Sequence, residues 1–141
     1  MQMDTPAYWN QRGAGKLPGH LGIVVTLASR QRMEAELPLQ PQLLAPNGYL
    51  HAGSVVTLAD TLCGYGCILN LPEGASGFTT LELKSNHLGT TLDGTVAGVA
   101  TPAHLGRSTQ VWDAVVTHVQ SGRTLALFRC TQMVLYAKGK P

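Results

Sequence analysis

Residues 53–71 read GSVVTLADTLCGYGCILNL, and no other stretch constrains the fold as tightly. Wound at 3.6 residues per turn, its apolar residues fall on nearly every side, a pattern found in helices buried all round. Ser54 suits an N-cap, and Asn70 followed by Pro72 suits a stop, so the expected helix covers residues 54–69. The stretch is also long enough to be tested as a membrane span. Asp60 at its centre, with Thr57, Thr61, Gly64 and Gly66, argues against that, because a central Asp costs about 2.5–3.5 kcal/mol on insertion. No membrane span is expected. The helix therefore needs a protein wrapping, and the rest of the chain has to supply it.

Four β-rich runs follow the helix, at residues 78–88, 91–101, 108–119 and 124–137. Their separators are short and carry Gly89, Pro102 with Gly106, and Ser121-Gly122, as successive antiparallel strands require. Two further runs, 20–28 and 31–38, precede the helix and read as a hairpin turning at residues 29–31. Residues 39–50 hold two prolines and an Asn-Gly pair and read as an irregular connection. Before the hairpin, Thr5-Pro6 opens a short helix at 6–12, broken by Gly13, Gly15 and Gly19. Two strands, one long helix and four strands form an α+β order, with about six strands around a central helix. A chain of 141 residues suits a single domain over 1–141, and residues 138–141 read as a frayed tail.

Hydrophobic residues make up 44% of the chain and charged residues 13%, about half the usual charged share. Burial against further copies of the chain would answer that. A formal charge of +2, with Lys and Arg scattered singly, excludes a general nucleic-acid binder. Three cysteines without a framework spacing, and a start lacking a basic region followed by an apolar run, point to a reducing, cytoplasmic setting. The GAGKLPG run near residue 13 fits no phosphate-loop template, since Leu17 follows Lys16 where Ser or Thr belongs. Cys63 and Cys67 lie one helical turn apart, but no His or further Cys falls at matching spacing, so no metal site is expected. There is no Gly-x-Ser-x-Gly elbow. What remains is His51-Ala52-Gly53 at the mouth of the helix and Asp60 within it. For each alone, an ordinary reading exists: a capping histidine, and a carboxylate held by backbone or Thr donors.

Taken together, NGYLHAG leading into LAD, with nine residues from His51 to Asp60, then TTLEL and the Gly106-Arg107 pair, resemble a known family. It is the hotdog-fold acyl-CoA thioesterases of the phenylacetic-acid (PaaI) type, which include the Arthrobacter-type 4-hydroxybenzoyl-CoA thioesterases. The resemblance runs from about Gly22 to Tyr136. It implies a curved antiparallel sheet around one long helix, an acyl-CoA substrate, no cofactor beyond the coenzyme A of that substrate, and homodimers or homotetramers. It implies Asp60 as the catalytic carboxylate, the Ala52 N–H as the carbonyl donor, His51 beside it, and Thr80 as a hydroxyl helping to hold the attacking water. Asn47 lies near a polar position of the thioester region, and Arg107 resembles a basic residue near the coenzyme A arm. Two departures stand out: His-Ala-Gly replaces His-Gly-Gly, and Gly64 stands where several members carry Ser or Thr.

Thioester hydrolysis needs donors aimed at a developing oxyanion and a group that activates or supplies the attacking oxygen. Ala52 and Gly53, at a helix N-terminus, suit the first. Asp60 suits the second, as general base or as nucleophile. Eight residues at about 1.5 Å each hold Ala52 and Asp60 about 12 Å apart along the axis, too far to act on one thioester. If both act, the donor of one subunit faces the carboxylate of another across a two-fold axis. Coenzyme A phosphates call for cations, for which Arg107 leads and Lys84 and Lys138 follow. Trp112, Phe78 and Tyr49 are candidates to line an acyl pocket. Two alternatives stay open from the sequence: a hotdog module that binds acyl-CoA without hydrolysing it, and a dehydratase or hydratase pairing a His with a carboxylate.

Overall fold

The computed structural model describes residues 2–138; residues 139–141 of the expected tail lie outside the described residues. Six antiparallel strands form one sheet in the order β1-β2-β4-β5-β6-β3. They span Val24–Ala28 (β1), Met33–Pro38 (β2), Ala75–His87 (β3), Thr95–Leu105 (β4), Thr109–His118 (β5) and Thr124–Tyr136 (β6). The long helix α3, Ala52–Leu69, lies on one face of this sheet and touches β2, β3, β4, β5 and β6. Every expected strand is present, so the α+β architecture read from the sequence holds. The 91–101 run starts later than expected, at Thr95, because Gly94 takes a left-handed φ of 88° in the turn before it.

The sheet fits α3 closely because alternate strand positions face it. Along β5, Gln110, Trp112, Ala114 and Val116 are buried, and along β6 so are Ala126, Phe128, Cys130, Gln132 and Val134. Small residues permit the contact. A Cβ on Gly98 of β4 would sit 2.9 Å from Leu62, and one on Gly66 of α3 would run into the Trp112 ring. By length and apolarity α3 would pass as a membrane span, yet ten of its eighteen residues are buried within this one chain.

The helix starts two residues earlier than the sequence suggests, and its N-cap is His51, not Ser54. Ser54 is instead buried, its Oγ donating to the Leu43 carbonyl at 2.8 Å. At the far end Asn70 closes the helix, its amide donating to the Gly66 and Arg30 carbonyls. Near the N-terminus, Pro6–Gly13 forms α1 as expected, but Leu17–Leu21 adds a short helix α2 where a glycine-broken connection and the start of the 20–28 strand were read, so that strand begins only at Val24. Pro18 near its start and Gly22 at φ 90° after its end supply the stop and start signals. Trp9 of α1 is fully buried and stacks on Tyr65 of α3 at 4.4 Å, so the N-terminal segment covers the C-terminal half of that helix.

Candidate active site

Two lengths of chain meet at the start of α3, where the Leu43 carbonyl accepts both the His51 N–H and the Ser54 hydroxyl. That pins the connection at residues 39–50 to the helix mouth. The His51 ring then folds over the first turn, and its Nδ1 accepts from the Gly53 N–H at 2.7 Å. With Nδ1 an acceptor, a neutral His51 carries its proton on Nε2, so an N–H donor faces outward. A Cβ at Gly53 would lie 2.9 Å from that Nδ1, so this position tolerates no side chain while the cap is made. Ala52, by contrast, lies in the helix and no non-glycine among the described residues has positive φ, so alanine in place of glycine there is free of backbone strain.

The first N–H of a helix has no intrahelical acceptor. The exposed Ala52 N–H donates to none of the described residues and stands ready for a ligand oxygen, backed by the positive end of the α3 dipole. Gly53 differs from expectation, because its N–H is already given to His51. Asn47 likewise spends its side chain locally: Oδ1 accepts from the Tyr49 N–H at 3.1 Å in the turn around Gly48. It faces its own turn.

Asp60 lies two turns further along α3, half-buried, with Oδ1 buried and no hydrogen-bond partner among the described residues. Loss of water raises its pKa above the ordinary carboxylate value. A purely structural carboxylate would be satisfied by neighbouring donors; Thr57, the nearest hydroxyl one turn back, gives its hydrogen to the Gly53 carbonyl instead. Thr80 reaches the same face of the sheet from β3 through a bulge between Thr80 and Glu82. Thr80 pairs with the buried Gln132 and Leu83 with the buried Cys130, so both face α3 although three residues apart.

The remaining candidates separate. Phe78 closes over Gly64, one turn beyond Asp60, with its Cζ 3.1 Å from where a Cβ would stand. Trp112 is fully buried, donates to Gln110 and belongs to the core, and Tyr49 is exposed in the turn after Asn47. Lys84 pairs with Arg129 on the opposite face of the sheet, beside a groove of about 320 Å³ that also takes in Asp113 and Leu127. Arg107 is exposed in the β4–β5 turn, its carbonyl accepting from the Tyr136 hydroxyl. Lys138 is exposed just past β6. No cysteine acts as nucleophile here. A hydrogen bond with Cys130 and burial hold Cys63 far above the thiol range, and burial pushes Cys67 up to about 12.

A family model described as the thioesterase superfamily matches residues 47–126, from the turn before α3 into the first residues of β6. The chain belongs to the thioesterase superfamily. It is a thioester hydrolase with the hotdog fold. Among its relatives in the superfamily, the 1,4-dihydroxy-2-naphthoyl-CoA hydrolase of Escherichia coli is 33% identical over 129 residues, covering 89% of this chain and 91% of the relative. The proofreading thioesterase EntH of Cronobacter sakazakii is 32% identical, covering 89% and 90%. Of solved superfamily structures, a mutant thioesterase from Pseudomonas aeruginosa superposes with a TM-score of 0.89 at 29% identity, covering 95% of this chain and 96% of that one. A thioesterase from Haemophilus influenzae gives 0.87 at 31% identity, covering 94% and 91%. Within this thioesterase, the residue that reasoning from the sequence passed over is Gln132. Its signal was the alternation of β6, where Phe128, Cys130, Gln132 and Val134 share the inward parity.

Proposed function

We propose that this protein hydrolyses acyl-CoA thioesters, of aryl or medium-chain acyl groups, as a member of the phenylacetic-acid type group. The observation that carries the reading is the pairing of a free helix N-terminal N–H at Ala52 with an unpartnered carboxylate oxygen at Asp60. The Ala52 N–H polarises the thioester carbonyl, and the outward Nε2–H of His51 stands beside it. Asp60 works on the opposite side of the carbonyl. As a base it takes a proton from water as the water oxygen attacks, and that proton leaves with the coenzyme A thiolate when the C–S bond breaks. As a nucleophile its carboxylate oxygen bonds the carbonyl carbon, and the C–S bond breaks to release the coenzyme A thiolate. Water then opens the mixed anhydride to free acid and Asp60, a water proton going to the thiolate. Raising its pKa by burial strengthens it in either role.

The same helix keeps these two groups about 12 Å apart along its axis, so the site is assembled by two copies related by a two-fold axis. Two surfaces support that assembly. The edge strand β3 runs thirteen residues with nothing paired on its outer side, and its Leu81 and Leu83 are 54% and 41% exposed. Beside it, the N-terminal half of α3 leaves Val56, Thr57, Asp60 and Thr61 only partly covered. A dimer, or a dimer of dimers, buries both surfaces. Arg107 is the cation offered to the coenzyme A phosphates, and three buried free thiols suit a cytoplasmic setting. The test is release of free thiol from a panel of aryl- and alkyl-CoA substrates. Wild type should turn over, Asp60→Ala and Asp60→Asn should lose at least about a hundredfold in kcat, and unchanged turnover in both variants would reject the assignment of Asp60.

A further inference from the structure

Two glutamines stand side by side on the face of the sheet that α3 covers, Gln110 on β5 and Gln132 on β6, and both are fully buried. Their surroundings differ sharply. Gln110 donates to the Asn70 carbonyl at 3.0 Å and to that of Cys67 at 3.5 Å, and it accepts from the Trp112 indole at 2.8 Å. Neither the Nε2 nor the Oε1 of Gln132 meets any partner among the described residues. A buried amide left without partners is destabilising, because it has lost water and gained nothing in exchange. Methionine would fill the same space without that cost, so packing gives no reason for an amide here.

Its position does give one. Gln132 is directly opposite Thr80 on β3, so the two polar side chains are neighbours on one face, where one water can bond to both. The next inward pair is Phe78 with Val134, and Phe78 abuts Gly64, one turn from Asp60. Among the described residues three side chains hold buried polar atoms without a partner, the Gln132 amide, Ser85 Oγ on β3 and Asp60 Oδ1, and all three lie on α3, β3 and β6, which pack against one another. Gly64 offers no hydroxyl there, and Thr57 is engaged with backbone.

We propose that Gln132 is a positioning residue for the hydrolysis, its amide and the Thr80 hydroxyl holding between them the water that attacks. This rests on the acyl-CoA thioesterase reading above and adds a residue to it. In the base route that water loses a proton to Asp60 as its oxygen bonds the carbonyl carbon, and the proton leaves on the coenzyme A sulfur. In the anhydride route the same water opens the acyl–Asp60 bond. Either way the amide donates or accepts a hydrogen bond and is itself unchanged.

The experiment compares wild type, Gln132→Met, Gln132→Leu and Asp60→Asn with benzoyl-CoA and hexanoyl-CoA, measuring kcat, KM and Tm for each. A held water predicts that both Gln132 variants lose about ten- to a hundredfold in kcat while KM stays within about threefold. Their Tm should equal or exceed that of wild type, since an unsatisfied amide has been removed. Wild-type kcat in both variants with a raised Tm would overturn the inference and leave Gln132 as a packing defect. Loss of kcat together with a lowered Tm in both would also overturn it, marking a structural amide. Failure of the parent reading looks different: wild type and Asp60→Asn would then release thiol at the same rate.

Discussion

Three residues of one tripeptide carry separate duties, and the duties explain their identities. His51 caps the helix with its ring, Ala52 offers an unused N–H, and Gly53 is bare because a Cβ would press on His51 Nδ1. Gly53→Ala should therefore displace the ring and cost catalysis, while Ala52→Gly should leave kcat within about twofold; steady-state kinetics on the two variants separate them. The role proposed for Asp60 rests on what that residue lacks. Its raised pKa means that the native state keeps a proton where the unfolded chain has lost it. Stability thus falls as pH rises through the window from the ordinary Asp value to the raised one, and above that window the buried charge is a cost. Asp60→Asn should be inactive yet melt higher than wild type at pH 7, with the difference closing as the pH drops below the ordinary Asp range. The acid limb of kcat/KM should likewise lie above the ordinary Asp value.

At the scale of elements, the distance between α3 and the sheet places everything else. Gly66 and Gly98 let the helix settle onto β4 and β5. Gly66→Ala should lower stability by about 1–3 kcal/mol, read as a reduced denaturant midpoint, because the fully buried Trp112 has no room to retreat. The strands were legible because their period-two patterns and Gly/Pro separators are local signals, as was α1 with Pro6 at its first turn. The start of α3 was not. Ser54 has an N-cap's chemistry, but a carbonyl from residue 43 takes its hydroxyl and a histidine ring takes its place. The faces taken by Lys84 and Trp112 were not legible for a related reason. Both lie on strands, and which face a strand turns to the helix depends on register, which one bulge resets.

At the scale of the whole molecule, an exposed thirteen-residue edge and a helix covered over only part of its length are the surfaces that the proposed dimer would bury. The shared site can be checked by complementation. Ala52→Pro removes the donor N–H at a first helical position, where proline is tolerated, and Asp60→Asn removes the carboxylate. Each variant alone should be inactive. Subunits mixed by unfolding and refolding together should recover about a quarter of wild-type activity, since half the dimers are mixed and each of those holds one intact site. Recovery of nothing, with mixed dimers shown to form, would place the donor and the carboxylate in one chain's site.

By itself the sequence determined that one apolar helix had to be wrapped by strands, and that a carboxylate nine residues past His51 could not work with that helix's own N-terminus. Both follow from periodicity and rise per residue, which are properties of the local chain. Only the tertiary structure decided that the histidine caps, that Asn47 serves its own turn, that Lys84 faces away, and that Gln132 is buried without partners. Those depend on which groups distant in sequence meet once register and packing are fixed, and on how much water is left between them.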